Sequence, residues 1–130
     1  MSENEIENGP VPDPMPARVF RIITAVDWEV TQQTGLVPWG DIDHRDGYLH
    51  LSTRQQTLET AALHFAGATD LLVLEFMSKD LRDTLRFEVV ASRGGALFPH
   101  QYGPLSLAAV QQVWQLVSED GVFDFAEPVT

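Results

Sequence analysis

Apolar and polar residues alternate strictly along residues 48–52 and again along residues 85–89. Because successive side chains of a β-strand point to opposite faces, each of these segments predicts a strand with one apolar and one polar face. In the first strand the apolar face carries Leu49 and Leu51, and the polar face carries Tyr48, His50 and Ser52. The Asp46-Gly47 pair just before it is typical of a turn. This segment therefore predicts a strand with three polar side chains on one side.

The second alternating segment points Leu85, Phe87 and Val89 inward and leaves Arg86 and Glu88 on the opposite face. Runs of β-branched, aromatic and other apolar residues predict further strands at residues 19–23, 71–77, 112–117 and 122–125. Residues 71–77 are nearly all apolar, as in a strand covered on both faces, although a buried helical turn has the same composition. Residues 112–117 fit a helix as well, and we favour a strand because of their Val and Trp content.

Two helices are indicated by capping residues and by helical spacing of apolar positions. Thr24 followed by Asp27 has the capping-box spacing and predicts a helix that ends at Gly35. Ser52 followed by Gln55 has the same spacing, and the helix it predicts ends at Gly67. The apolar stripe of this second helix consists of Leu58, Ala61, Ala62 and Phe65. Residues 36–45 and 92–104 lack periodicity and predict loops. Mixed helices and strands predict an α+β fold.

The first sixteen residues differ in composition from the remainder of the chain. Residues 2–16 hold four acidic residues and a proline at every second position from Pro10 to Pro16. Such a segment has too few apolar side chains to join a core, so residues 1–16 are predicted to be a disordered tail. The chain has 130 residues, a length suited to one hydrophobic core, and residues 17–130 are predicted to form a single domain.

Composition narrows the classes of partner and compartment. The chain has no cysteine, no long apolar run and no signal-peptide pattern, so we expect a cytoplasmic protein without a membrane segment. Its net charge of -11 would repel duplex nucleic acid. Seven of its eight basic residues are arginines, and arginine suits forked contacts with carboxylate or phosphate. A local pocket that binds an anion through arginine is therefore possible despite the negative net charge.

Three groups of residues are candidates for chemistry. His50 and Ser52 share a strand face at a spacing suited to gripping a polar ligand such as a ribose, although a structural hydrogen-bond pair has the same pattern. Arg86 and Glu88 share a face too, and there the carboxylate is a candidate general base or charge stabiliser, or one half of an ion pair. The segment from Gly94 to Pro104 concentrates turn residues around candidates His100 and Tyr102.

Several common sites are disfavoured by the motifs. The four histidines lack metal-ligand spacing, so we expect no metal. No G-x-S-x-G elbow supports a Ser-His-Asp hydrolase. The Gly94-Gly95 pair matches neither a Walker loop nor a dinucleotide-binding fingerprint. The common nucleotide-binding folds are therefore disfavoured.

A family resemblance rests on four segments of the chain. They are Arg21-Ile22-Ile23-Thr24 with Trp28, Asp46-Gly47-Tyr48-Leu49-His50-Leu51-Ser52-Thr53, Leu85-Arg86-Phe87-Glu88, and the run from Gly94 to Leu105 that contains Phe98-Pro99-His100-Gln101-Tyr102-Gly103-Pro104. Together they resemble the bacterial domain of unknown function 952 family over about residues 19–117. The resemblance implies a fold similar to the ADP-ribosyltransferases, a split and bent β-sheet with flanking helices that grips NAD.

The same resemblance implies roles for individual residues. His50-Leu51-Ser52 is similar to the His-x-Ser of transferases that hold the ribose and nicotinamide side of NAD. Glu88 and His100 are the implied catalytic candidates, and the ligand-binding candidates are Tyr48, His50, Ser52, Arg86, Gly94 and Tyr102. The implied function is an NAD-dependent ADP-ribosyl transferase or hydrolase. The alternatives are a non-catalytic module for a nucleotide or ADP-ribose, and a protein-interaction domain.

Overall fold

The computed structural model describes residues 15–129, and within them the strands form two antiparallel sheets. The strands are β1 (Arg18–Thr24), β2 (Leu49–His50), β3 (Leu71–Met77), β4 (Leu85–Val90), β5 (Ala96–Gln101), β6 (Val110–Glu119) and β7 (Val122–Val129). One sheet has the order β1-β3-β6-β7, and the other has the order β2-β5-β4. The predicted α+β class is confirmed, as are the strands expected at 19–23, 71–77, 112–117 and 122–125.

The α-helices of the described region are α1 (Ala25–Thr34), α2 (Asp41–Asp46), α3 (Arg54–His64) and α4 (Ser78–Leu81). The side chain of Thr24 accepts a hydrogen bond from the Asp27 amide, and α1 ends at Gly35 in the left-handed region with φ 83°. Both ends of α1 are therefore confirmed. No helix within residues 15–129 is long and apolar enough to cross a bilayer.

The four-stranded sheet is covered on both faces. Its first face packs against β2, β4 and α4 in a cluster that consists of Val19, Ile23, Val37, Leu49, Leu51, Leu74, Phe76, Leu81, Leu85, Phe87, Leu105 and Val113. Its second face packs against α3 in a cluster that consists of Phe20, Ile22, Ala61, Leu71, Val73, Leu116 and Phe123. The near-continuous apolar run of β3 thus reflects burial on both sides. The three-stranded sheet uses its inner face for this core. Its outer face carries the polar side chains of Arg86, Glu88 and His100 together with Phe98.

The start and end of α3 differ from the prediction. Thr53 caps the helix and Gln56 closes the capping box, one residue later than the predicted pair. Ser52 is unavailable because its amide and carbonyl both pair with Phe20 of β1 at 2.8 Å, which keeps the chain extended through this residue. The helix ends at His64, before Gly67, and Ala62 of the predicted stripe is exposed. A tertiary strand contact therefore sets where this helix begins.

The two predicted loops each contain regular structure. Residues 41–46 form α2, whose six residues are too few to show a helical period. Residues 96–101, within the predicted loop 92–104, form β5, the central strand of its sheet. Pro99 made a central strand improbable, because proline cannot donate to the ladder. The carbonyl of Pro99 nevertheless accepts a hydrogen bond from the Leu51 amide at 3.1 Å. β5 therefore pairs with both β2 and β4 despite the proline.

Two further expectations concern chain ends and edges. Val89 was predicted to point inward, but it is 61% exposed, because it lies near the end of edge strand β4, past the core that covers Phe87.

Of the predicted disordered tail, residues 1–14 lie outside the described residues. The carbonyl of Pro16 accepts a hydrogen bond from Ser78 Oγ at 2.6 Å, so contact with the domain begins at or before this residue.

The register of β4 yields a paired stability test. Replacing Phe87 with Ala should lower the free energy of unfolding by about 3–5 kcal/mol, since it removes a buried ring. Replacing Val89 with Ala two residues along should cost less than about 1 kcal/mol. Urea unfolding followed by circular dichroism measures both. Equal losses for the two variants would contradict the exposure of Val89 at the end of β4.

Candidate functional site

The outer face of the β2-β5-β4 sheet collects five candidate side chains. His50 pairs with His100, and His100 pairs with Arg86 on the next strand, so their side chains share a face. Tyr48 stacks on His100 with ring centroids 4.0 Å apart and an interplanar angle of 20°, and its ring lies 5.3 Å from Tyr102. We call the set Tyr48, His50, Glu88, His100 and Tyr102 the sheet-face cluster.

Glu88 is the acceptor at the centre of this cluster. Its Oε1 accepts hydrogen bonds from His100 Nδ1 at 2.8 Å and from the Tyr102 hydroxyl at 2.5 Å. Burial alone would raise the pKa of Glu88, but these two hydrogen bonds outweigh burial and leave the pKa below its ordinary value. The side chain is 41% exposed. Glu88 is therefore an ionised carboxylate within reach of a ligand.

His100 is held in one orientation and in one protonation state. Its side chain is 4% exposed, and burial lowers its pKa despite the opposing effect of the Glu88 carboxylate. The ring is thus neutral near pH 7, with Nδ1 donating to Glu88 and the lone pair on Nε2. Within residues 15–129, Nε2 makes no hydrogen bond, so its lone pair is the proton acceptor that remains on the ring.

The two tyrosines of the cluster stay protonated. Burial raises the pKa of Tyr102, and the hydrogen bond to Glu88 raises it further. Burial also raises the pKa of Tyr48, as do the charges of Asp46 and Glu88. Tyr102 is 47% exposed, so one face of a neutral phenol is open to a ligand. These rings can stack and donate hydrogen bonds, and they are not nucleophilic phenolates at neutral pH.

His50 is fixed by two carboxylates from α2. Its Nδ1 lies 2.7 Å from Asp43 Oδ1, and its Nε2 lies 2.9 Å from Asp46 Oδ2. Ionised carboxylates only accept, so a ring nitrogen of His50 bonds to its carboxylate by donating an N–H. Hydrogen bonding lowers the pKa of Asp46 to about 2, chiefly through Arg45. Both ring nitrogens of His50 are occupied, which leaves it little capacity to hold a ligand through them.

Asp43 was missed by the sequence prediction. It is buried and accepts five hydrogen bonds, two from the Arg21 guanidinium, one from the Gly40 amide, and two from the backbone and ring of His50. Burial would raise its pKa, but the His50 and Arg21 hydrogen bonds lower it far below the ordinary range. The Gly40 amide donates to Asp43 Oδ2 at 2.7 Å, which is the half of a capping box that needs no side chain at the N-cap. Glycine at the N-cap followed by Asp three residues later is the local signal for α2.

Three predicted ligand residues lie outside the cluster's contacts. Ser52 Oγ pairs with Thr60 Oγ1 on α3 at 3.2 Å, so His50 and Ser52 contact different elements. Gly94 lies in the turn between β4 and β5, where its φ of 71° suits glycine. Arg86 lies directly opposite His100 in the strand pairing, but its Nη1 donates to the carbonyls of Leu85 and Asp83. Their ligand-binding roles stay predictions.

In the described part of the chain, no three or more His, Asp or Glu side chains are grouped so as to hold a metal ion. The residues of the cluster instead support proton transfer, charge stabilisation and ring stacking. Glu88 is the anion, His100 is the base, and Tyr48 and Tyr102 offer the rings.

The sequence model of a family described as "protein of unknown function (DUF952)" matches residues 22–113, more than half of the chain. The chain belongs to this family. The match spans every residue of the sheet-face cluster. The predicted family is therefore confirmed, and the family description carries no activity.

Solved structures of one protein, CC0527 from Caulobacter crescentus, resemble the chain in sequence and fold. The crystal structure of protein CC0527 from Caulobacter crescentus is 33% identical, with a TM-score of 0.76, and the match covers 82% of this chain and 93% of that one. The solution NMR structure of CC0527 is 31% identical, with a TM-score of 0.72 and coverages of 82% and 90%. No curated protein matches the chain.

The buried carboxylate of Asp43 yields a stability prediction. D43N should lower the free energy of unfolding at pH 7 by about 3–5 kcal/mol, since it leaves the Arg21 charge without its partner. Because the folded pKa of Asp43 is depressed, its contribution is fully present above the unfolded value of about 3.9 and is lost as pH falls from that value through the folded pKa. Urea titrations at pH 7 and at about pH 2 should therefore show a smaller difference between the parent and D43N at the lower pH.

The matched control is D41N, which removes the same charge from an exposed position of α2. We expect D41N to change stability by less than about 1 kcal/mol. If D43N were as mild as D41N, the assigned role of Asp43 would be incorrect.

Proposed function

We propose that the sheet-face cluster binds NAD and that the protein transfers or hydrolyses its ADP-ribosyl group. The observation that carries this proposal is the pair formed by Glu88 and His100 beside two tyrosine rings on an exposed sheet face. An ionised carboxylate, a neutral imidazole and stacking rings are the groups that cleavage of a cationic N-glycosidic bond requires.

Glu88 has the charge to stabilise the transition state. When the bond between ribose C1′ and the nicotinamide nitrogen breaks, the bonding electron pair leaves with neutral nicotinamide and positive charge develops on the ribose. A carboxylate that is already ionised and fixed by His100 and Tyr102 needs little reorganisation to meet that charge. Its depressed pKa keeps it ionised throughout the neutral range.

His100 has a suitable base at Nε2. An acceptor hydroxyl or water forms the new bond to C1′ through its oxygen lone pair and releases its proton to Nε2. The Glu88 carboxylate, hydrogen-bonded to Nδ1, stabilises the imidazolium that results. The exposure of the Tyr102 ring supports a role for it in stacking on nicotinamide.

The likeness of His50-Leu51-Ser52 to the His-x-Ser of ADP-ribosyltransferases is a second support for NAD. Both polar side chains of that segment have internal partners, because His50 is held by Asp43 and Asp46, and Ser52 by Thr60. These contacts leave the binding of NAD to Glu88, His100 and the tyrosine rings. The second candidate function is a nucleotide- or ADP-ribose-binding module without turnover. The acidic chain would also suit an interaction domain for a basic protein.

The test is nicotinamide release from NAD, followed by proton NMR. We expect E88Q to reduce the release rate by at least about a hundredfold while NAD affinity changes much less, because Glu88 acts mainly on charge that develops in the transition state. E29Q removes the same charge from an exposed residue of α1 and should behave as the parent.

Three outcomes separate the functions. Release that depends on Glu88 supports the transferase or hydrolase. Saturable NAD or ADP-ribose binding by calorimetry without release from the parent supports the non-catalytic module. Absence of binding at millimolar concentrations of both ligands overturns the nucleotide site and favours the interaction domain.

A further inference from the structure

Three aromatic rings surround one cation on the second face of the four-stranded sheet, the face that α3 covers. The guanidinium carbon of Arg54 lies 3.8 Å from the ring centroid of Phe125, 5.0 Å from that of Trp114 and 5.9 Å from that of Phe20. The Phe125 ring is steeply inclined to the other two, with interplanar angles of 86° to Trp114 and 71° to Phe20. Rings at such angles present their π faces to a cation from several sides. We call Phe20, Trp114 and Phe125 the aromatic cage.

The walls of the cage are fixed by the sheet, whereas its occupant is replaceable. The three rings belong to β1, β6 and β7. Arg54 is the exposed first residue of α3, where the positive end of the helix dipole disfavours a cation. Among residues 15–129, its guanidinium makes no hydrogen bond and no salt bridge. Displacement of Arg54 by another cation would therefore break cation–π contacts alone.

A second stacked arginine shows the contrast. The guanidinium of Arg93 lies 4.4 Å from the Phe98 ring, and it also donates hydrogen bonds to Glu59 and Thr60. The Arg93 side chain is buried, so this contact is a tied structural one. Arg54 instead has three rings and no polar partner within the described residues, which is the environment of a cation in a binding cage.

A buried carboxylate behind the cage sets the kind of cation that fits. Glu75 is 3% exposed, and its Oε1 accepts a hydrogen bond from Trp114 Nε1 at 2.8 Å. Its Oε2 accepts from Arg18 Nη1 at 2.9 Å. Because both oxygens already have a donor, Glu75 is not open to the N–H groups of an incoming ammonium ion. A cation without N–H groups loses fewer hydrogen bonds to water on entering such a cage.

We propose that the aromatic cage binds a trimethylammonium group, the group shared by choline and by trimethylated lysine side chains, and that this ligand displaces Arg54. A trimethylammonium ion surrounds a full positive charge with methyl groups and has no N–H to satisfy, so it suits walls made of π faces. Arg54 is then an internal competitor that lowers the affinity of the parent protein. The cage lies on the four-stranded sheet, and the sheet-face cluster lies on the other sheet. The proposal is therefore independent of NAD chemistry.

A matched pair of probes tests the proposal on the parent protein. Nα-acetyl-trimethyllysine amide and Nα-acetyl-lysine amide are both cations at pH 7 and differ only in methylation. The titration is followed by NMR at the indole N–H of Trp114, the group that donates to Glu75. We expect the trimethylated probe to bind at least about tenfold more tightly and to shift this signal saturably. Choline is titrated in the same way, and the tighter of choline and trimethyllysine identifies the source of the group.

Removing the internal competitor should strengthen binding. R54A should raise the affinity for the trimethyllysine probe by at least about fivefold, because the cage is then empty. R82A, the matched control, removes an exposed arginine at the end of α4 and should leave the affinity unchanged. Adding F125A to R54A should lower the affinity at least about tenfold below that of R54A, because it removes one wall of the cage. Circular dichroism checks that each variant is folded.

The parent and the variants give separate ways to overturn the proposal. Equal affinity of the parent for the two lysine probes would refute recognition of the methylated group without any variant. Binding that leaves the Trp114 indole signal unshifted would place the ligand elsewhere and refute the cage. A folded R54A that binds no more tightly than the parent would refute displacement of Arg54. None of these measurements uses NAD or Glu88, so their outcome is distinct from that of the proposed function.

Discussion

The buried carboxylate of Asp43 is the interaction on which the arrangement of the site depends. It joins three segments that are distant in sequence, because Arg21 lies in β1, Gly40 precedes α2, and His50 lies in β2. A six-residue helix is too short to be stable alone, so α2 needs these contacts. A buried, ionised carboxylate in turn needs all of its donors. The ion pair and the helix therefore stabilise each other, and together they fix β2 against the four-stranded sheet.

The position of α2, which Asp43 fixes, gives His50 and His100 different roles. Because α2 brings Asp43 and Asp46 to both nitrogens of His50, that ring is committed to structure. His100 has a single carboxylate partner, and burial keeps its ring neutral. His100, whose orientation is fixed by Glu88, is therefore the base of the site. The neighbouring ring of His50 instead holds β2 in place. The chemistry we propose uses this difference, with His100 acting on the ligand and His50 supporting the face.

Local patterns predicted those parts of the molecule that local interactions determine. Alternation identified the faces of β2 and β4, and Thr24 with Gly35 bounded α1. Predictions failed where contacts between distant segments decide the conformation, as with β5, which forms through pairing on both sides despite Pro99. Glu88 and His100 were each candidates, but strand register alone brings them to 2.8 Å. Asp43 depends on a partner 22 residues away, and no local period encodes such a pair.

The central claim is that the outer face of the β2-β5-β4 sheet is where the ligand binds. The most direct measurement is a titration of NAD into isotope-labelled protein, followed by NMR of the backbone amides and the histidine ring nitrogens. We expect saturable shifts at Tyr48, Glu88 and Tyr102 and at Nε2 of His100, with the His50 ring nitrogens much less affected. Shifts confined to other surfaces, or no shifts at millimolar NAD, would contradict it.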